Sequence, residues 1–446
     1  MGRYERQSMR ALASSVKSFL DADDDGGGGN LNGRRRSAQA MILELFATHN
    51  SGPFNRLVAK AVGDWGVQEL EVAVLAPTTP RRDDASCTFL HHCFRSPTGL
   101  KKLKLINCAP LPARSLRSRP LLAFSSLTML VLQGMPSTSA RGGGGVYERV
   151  IRACPALEVL HLKCCLFYGD VSIDAPGSHV TELVVDGCTF AWIDPRSLPR
   201  LKRLALAGNP MQISFGALPR LGRLNLSFYD DPNAMLDPLF PGIRDEHSVL
   251  QPSSAAATSF PDLDNLVVRF TGPETWIVPE MGTRMPWGNV WHLLVADMPR
   301  SWDISWTCRV LKAAPFLETL HIHFAEGYIA DLVGMTGDPA IPSPPSGFKI
   351  RALREVVIVG FNFKGAGSLH AHFVRFLIRN SCHGTLEKVS LRKRGRVWEK
   401  GLWDWQVVAT PQESSTQWSD EERDALFRGI QIQQGGSTSN TRIVLG

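Results

Sequence analysis

The sequence predicts an α/β solenoid: short strand-plus-helix units stacked one on another, a mostly parallel sheet on the inner side of a curved stack and irregular short helices outside. Three observations predict it. The phrase "RVIRACPALEVLHL" at residues 149–162 returns 160 positions later as "RVLKAAPFLETLHI" at 309–322. Its strand-like ending, apolar at relative positions 1, 4 and 6, begins again at Val67, Leu100, Leu127, Leu157, Val180, Leu201, Leu221, Leu263, Val290, Leu317, Leu353 and Leu386. The spacing between these starts runs from 20 to 42 residues with 27 recurring, which brackets the period of repeat architectures.

Within one unit each element has a physical reason. Val150 and Ile151 carry the apolar spacing of a short amphipathic helix, Pro155 forbids its continuation, and Leu157, Leu160 and Leu162 open a strand. Several units carry Cys or Asn at the ninth position, where the strand turns away: "LKKLKLINC" ends at Cys108, "VTELVVDGC" at Cys188 and "LKRLALAGN" at Asn209. This is the leucine-rich-repeat pattern. One strand and one short helix cannot bury an apolar side alone, whereas stacked units form a continuous ladder in which each buried side chain contributes about 1.5–3 kcal/mol.

In chain order, residues 1–41 read as a flexible segment with one short helix, carrying Met9, Leu12, Val16, Phe19 and Leu20 on one side. The repeats occupy 42–406. Residues 229–259 interrupt them as a loop inserted between the units at Leu221 and Leu263, or as a boundary between two halves. The stretches 21–36 and 133–145 and the tail from Gly435 onward are flexible by composition. Residues 370–380 form a helix with Phe373, Phe376 and Leu377 on one face. Another at 419–429 opens with a capping box from Ser419 to Glu422 and heads the C-terminal part, 407–446.

Composition narrows the function. With 446 residues, 43% hydrophobic and 20% charged, the chain can bury a large core. No signal-peptide pattern opens it and no apolar run reaches the ~20 residues that cross a bilayer, so a cytoplasmic or nuclear address and no membrane partner are expected. The nine cysteines contain no C-x-x-C pair and read as reduced and structural.

The G-x-S-x-G, H-E-x-x-H and G-x-x-x-x-G-K-[ST] motifs do not occur, and the tetraglycines at 26–29 and 142–145 read as joints, so no enzyme activity and no cofactor are expected. The "HHC" at 91–93 lies in a loop-like segment without a second ligand pair for a metal, and of His161, Cys164 and Cys165 the histidine is predicted to point away from Cys165. The sequon at Asn225 has no role without secretion. The net charge of +7 raises nucleic acid, but the basic residues cluster in "GRRR" (33–36) and "RKRGRVWEK" (392–400), read as solvated ends without interleaved aromatics, which disfavours it.

The segments "WGVQELEVAV" (65–74), "RACPALEVLHLKCC" (152–165), "ALREVVIVGF" (352–361) and "HFVRFLIRNSCHGTLEKVSL" (372–391) resemble the large plant family of F-box proteins with leucine-rich repeats and an FBD-like C-terminal segment, here 348–406. The resemblance implies the substrate-recognition part of a receptor for an SCF-type ubiquitin ligase. An F-box would bind the Skp-type adaptor, and the repeats would hold the protein to be ubiquitinated. An F-box takes about three helices and residues 1–41 offer one, so the adaptor is expected only where an F-box lies upstream. A repeat-only scaffold or regulatory binder is the other reading.

Binding is therefore expected on the concave face, where positions 3, 5 and 7 of each unit alternate with the buried leucines. The candidate residues are His161, Lys163, Glu182, Asp186, Arg203, Arg223, Asn225, Arg269, His292, His321 and His323, with apolar Val131, Val184, Val267 and Leu294 among them. A polar row of mixed sign with apolar anchors suits a protein partner better than a small ligand.

Overall fold

The computed structural model describes residues 3–25, 37–46, 52–75, 99–108, 124–135, 146–167, 169–209, 211–213, 218–228, 261–269, 287–298, 304–324, 348–361, 369–382, 384–400, 402–408, 418–431 and 441–446. The inserted loop 229–259, the "HHC" at 91–93, the "GRRR" at 33–36 and both tetraglycines lie outside the described residues.

The chain divides into two compact units, Met1–Leu201 with Ser214–Leu218, and Lys202–Ile213 with Pro219–Gly446. In the first, six parallel strands follow in chain order: Ala40–Phe46, Glu69–Leu75, Lys102–Ile106, Met129–Gln133, Val159–Lys163 and Glu182–Asp186. In the second, eight do the same: Arg203–Gly208, Arg223–Phe228, Asn265–Arg269, His292–Met298, Thr319–Phe324, Glu355–Val359, Lys388–Arg392 and Arg442–Leu445. Strictly parallel strands in chain order with short helices between them make this an α/β repeat fold, consistent with a leucine-rich-repeat solenoid.

All twelve predicted starts lead into strands of this set. Their first-position residues, from Val67 to Leu386, are buried without exception. Within each unit the parallel register places fourth-position residues side by side, as in Leu130, Leu160 and Leu183, or Leu293, Leu320 and Val356. Because this register is kept at positions 1, 4 and 6 within each unit, those residues stack into a ladder in each. A polar side chain there meets apolar atoms on all sides.

The ninth position is explained by hydrogen bonding. Cys108 Sγ lies 3.8 Å from Val72 O, Cys165 Sγ 3.5 Å from Leu132 O, and Cys188 Sγ 3.5 Å from Leu162 O. Each thiol donates to the sixth-position carbonyl of the preceding repeat, satisfying a main-chain acceptor as the strand ends. All three are buried free cysteines.

Helices fill the outer side. In Val146–Ala153 the residues Tyr147, Val150 and Ile151 are buried, as are Phe373, Phe376 and Leu377 of Leu369–Asn380. Helix Asp420–Gln431 starts with the predicted capping box: the Glu422 amide donates to Ser419 Oγ at 3.2 Å, and the Ser419 amide to Glu422 Oε2 at 2.9 Å.

Both ends of the chain differ from the sequence expectation. The N-terminal helix runs from Arg3 to Asp25, longer than the short helix expected, and one face of it, Met9, Ala13, Val16 and Leu20, is buried. Leu12 and Phe19 stay exposed, although the Phe19 ring meets the Trp65 ring edge-on at 5.8 Å. The tail, expected to be flexible from Gly435, ends in strand Arg442–Leu445, which pairs with Lys388–Arg392 and closes the second unit's row.

Candidate functional site

In a strand, residues between the ladder positions face the other way, so positions 3, 5 and 7 of each unit build a second surface on the sheet. In the first unit this face is charged and partly open. Lys102 Nζ lies 2.7 Å from Glu69 and Lys104 Nζ 2.8 Å from Glu71, the four side chains being 53%, 41%, 39% and 30% exposed. His161 Nε2 meets Glu182 Oε1 at 2.6 Å, with Glu182 buried and His161 half-buried. Lys163 and Asp186 are opposite each other in the register of their neighbouring strands, both half-exposed. Val131 and Val184 are buried. Four predicted site residues, His161, Lys163, Glu182 and Asp186, thus stand together on two adjacent strands.

In the second unit the same positions are mostly covered. Asn225 is 2% exposed and His323 8%, against an expected open row. Asn225 is not a solvated surface amide: Ser227 Oγ donates to its Oδ1 at 2.5 Å, and its Nδ2 donates to Leu402 O at 2.7 Å. Arg203 sets its guanidinium 5.6 Å from the centre of the Trp403 ring. His323 Nε2 lies 3.3 Å from Gly395 O. Leu402 and Trp403 form the tip of an antiparallel hairpin of strands Arg396–Lys400 and Asp404–Val408, and Gly395 is its entry. The basic run at 392–400, read as a solvated end, is in part this hairpin. Its preceding Lys393 pairs with Glu422 and lies 5.0 Å from the Trp418 ring centre.

Arg223 is exposed, and Arg269, His292 and His321 are half-buried. Arg269 hydrogen-bonds Asp297, whose other carboxylate oxygen is 3.0 Å from His323 Nδ1. Asp297 sits at a register shift between strands His292–Met298 and Thr319–Phe324 with φ at 52°, and the bulge brings its carboxylate between Arg269 and His323. Burial works against its charge, but the His323 and Arg269 hydrogen bonds outweigh it and hold the carboxyl below its ordinary range. His292 accepts from Asn265 Nδ2 at 3.1 Å and meets the His321 ring edge-on at 5.5 Å. Burial and then the neighbouring His292 push His321 down to about 4.

Sequence reasoning passed over Glu69, Glu71, Asp297, Leu402 and Trp403. Glu69 and Glu71 occupy positions 3 and 5 of the unit starting at Val67 and were legible from the motif. Asp297 needs a bulge, and the hairpin contacts join residues as far apart as Asn225 and Leu402, which no local pattern reports.

Among the described residues, this face offers hydrogen-bonding and ion-pairing groups on neighbouring strands. The two histidines paired with carboxylates are both committed: His161 to Glu182, and His323 to Asp297 on one nitrogen and to a main-chain carbonyl on the other. Among the described residues, no three His, Cys, Asp or Glu side chains gather as a metal site, and no helix is long and apolar enough to cross a membrane. Comparison with protein-family models and with curated proteins gives no match.

Proposed function

We propose that the chain is a non-enzymatic protein-binding module of the cytoplasm or nucleus, resembling the substrate-recognition part of an SCF-type ubiquitin ligase receptor. One observation carries the reading. On the first unit, rows of alternating acid and base are held at the roughly 4.8 Å strand spacing, partly exposed and interspersed with apolar Val131 and Val184. Such a face offers a protein partner register and specificity through its partly exposed charges of both signs. A small ligand would call for an enclosed pocket, and nucleic acid for a face of one sign.

The test is affinity capture with the intact chain beside a Lys104→Glu/Lys163→Glu double variant. The partner is expected to be lost by the variant at an unchanged melting temperature, because both side chains face away from the ladder. In parallel, an F-box fused ahead of the intact chain is expected to recruit a Skp-type adaptor and cullin, while the chain as it stands is expected to recruit neither. Recovery of only RNA or DNA, or full retention of every partner by the double variant, would overturn the reading. A partner captured normally but never ubiquitinated with the fused form would favour the repeat-only scaffold.

A further inference from the structure

The second unit lays part of its own chain across the face on which a partner is expected. Hairpin Arg396–Lys400/Asp404–Val408 is anchored at its tip by Asn225 and Arg203, and at its entry by His323. The anchoring side chains belong to strands Arg203–Gly208, Arg223–Phe228 and Thr319–Phe324, with Asn265–Arg269 and His292–Met298 lying between. Four inter-strand steps of roughly 4.8 Å cover roughly 19 Å, and the seven residue-to-residue steps from Gly395 to Leu402 reach at most roughly 23 Å when extended. The hairpin is therefore long enough to run crosswise over all five strands.

The two strands lying between carry a second apolar cluster, Val267, Leu294 and Ala296, at 5%, 1% and 0% exposure. These are fifth- and seventh-position residues, facing away from the ladder.

We propose that this hairpin is a detachable strap. It occupies in cis a site that, when the strap lifts, takes an extended segment of a partner protein presenting an aromatic side chain beside a free main-chain carbonyl. The recognition chemistry is already laid out by the strap. Two anchors hold main-chain carbonyls, Leu402 O and Gly395 O, and the third holds the face of the Trp403 ring. None of the three reads the identity of a side chain beyond its aromaticity, so an outside segment of the same chemistry can replace the strap. The hairpin's two strands pair with each other and with no third strand among those described, and an isolated two-stranded ribbon is marginal in water. Lifting it therefore melts the hairpin, while the ladder beneath keeps its own contacts. The inference rests on the reading of the sheet face as a protein-binding surface and adds how that surface is regulated in the second unit.

Hydrogen exchange of the full chain is the first test. Amides of 396–408 are expected to exchange at least tenfold faster than those of the Leu204, Leu224 and Leu320 ladder. An Asn225→Ala/Trp403→Ala variant is expected to widen the gap by a further tenfold with ladder exchange unchanged. Exchange of the hairpin only in step with the ladder would overturn the proposal, whatever the variant does.

The second test adds a fluorescent peptide of residues 395–408 to a chain whose 396–408 are replaced by a glycine-serine linker and whose folding is verified by circular dichroism. Saturable binding is expected, weakened at least tenfold by Trp403→Ala in the peptide and absent with the unaltered chain. No binding to the folded linker variant would overturn the proposal. Neither measurement uses an outside partner. Failure of partner capture by the first unit, with the peptide still bound here, would therefore count against the proposed function and not against the strap.

Discussion

The two compact units are built on one strand motif, yet they treat their second sheet face differently. At the third and fifth positions the first unit carries the ion pairs Glu69–Lys102 and Glu71–Lys104, with side chains 30–53% exposed, whereas the second buries Asn225 and joins it to its own hairpin; the apolar fifth-position residues are buried in both units, Val131 and Val184 in the first and Val267 and Leu294 in the second. The ladder side does not differ: Leu160 and Leu320 are 0% and 1% exposed. The repeat motif thus settles the core and leaves the opposite face free to be specialised by chain outside the motif. The first unit leaves its ion-paired charges partly exposed, and the second turns Asn225, Arg203 and His323 toward its own hairpin.

The largest effect should come from the part the units share. Leu160→Asp or Leu320→Asp places a carboxylate in the ladder without a partner, at a cost of several kcal/mol. The expected outcome is loss of the cooperative thermal transition, or a drop in midpoint far beyond that of Lys104→Ala on the face behind. Equal shifts for ladder and face residues would show that the register assigned to both units is wrong.

Next in size is the substitution that separates them. Leu294→Ala should cost about 2–4 kcal/mol, because Leu294 is 1% exposed and its truncation leaves a cavity. Lys104→Ala, at the same position of the open face, should stay within about 1 kcal/mol. Denaturant titration of both measures the contrast directly. A Leu294→Ala effect as small as that of Lys104→Ala would mean that the second face is open after all.

Acid should find the second unit first. Unfolded histidine binds its proton near pH 6.5, while folded His321 does so only at about 4 and His292 is also lowered, both chiefly by burial. The unfolded chain therefore binds more protons in this window. The stability contributed by the neutral rings is complete above pH 6.5 and is lost as pH falls toward 4. Depressed Asp297 extends the loss in the same direction at lower pH. Melting temperatures measured between pH 7.5 and 4.5 should fall, and His321→Gln should flatten the slope. An unchanged slope in that variant would place the acid weakness elsewhere.

The smallest contrast concerns two glycines with left-handed backbone. At Gly360 (φ 77°) an added Cβ would lie 2.9 Å from Phe324 O and 3.0 Å from its Cβ, while at Gly66 (φ 71°) nothing lies within 4 Å. Gly66→Ala should cost only the strain of the conformation, about 1 kcal/mol, and Gly360→Ala measurably more because the next strand must shift. Comparable losses at the two sites would mean that the second unit yields there without resistance.

From the sequence alone, the twelve apolar starts, the ninth-position cysteines, the capping box at Ser419 and the buried face of helix Leu369–Asn380 could all be placed, because each is a local rule with a period or a fixed spacing. The strands Ala40–Phe46 and Arg442–Leu445 escaped that reading: the first begins its motif at Ala38 and Met41 instead of leucines, and the second at polar Asn440. They belong to the sheet because a neighbouring strand offers unpaired main-chain groups, which is a property of the stack and not of the segment. The same holds for the site. Composition and alternation determined which residues leave the ladder, from His161 to His323. Only the tertiary structure decided which of these meet solvent, since Asn225 is held by Leu402, 177 residues further along the chain, and burial is set by whatever packs across a face.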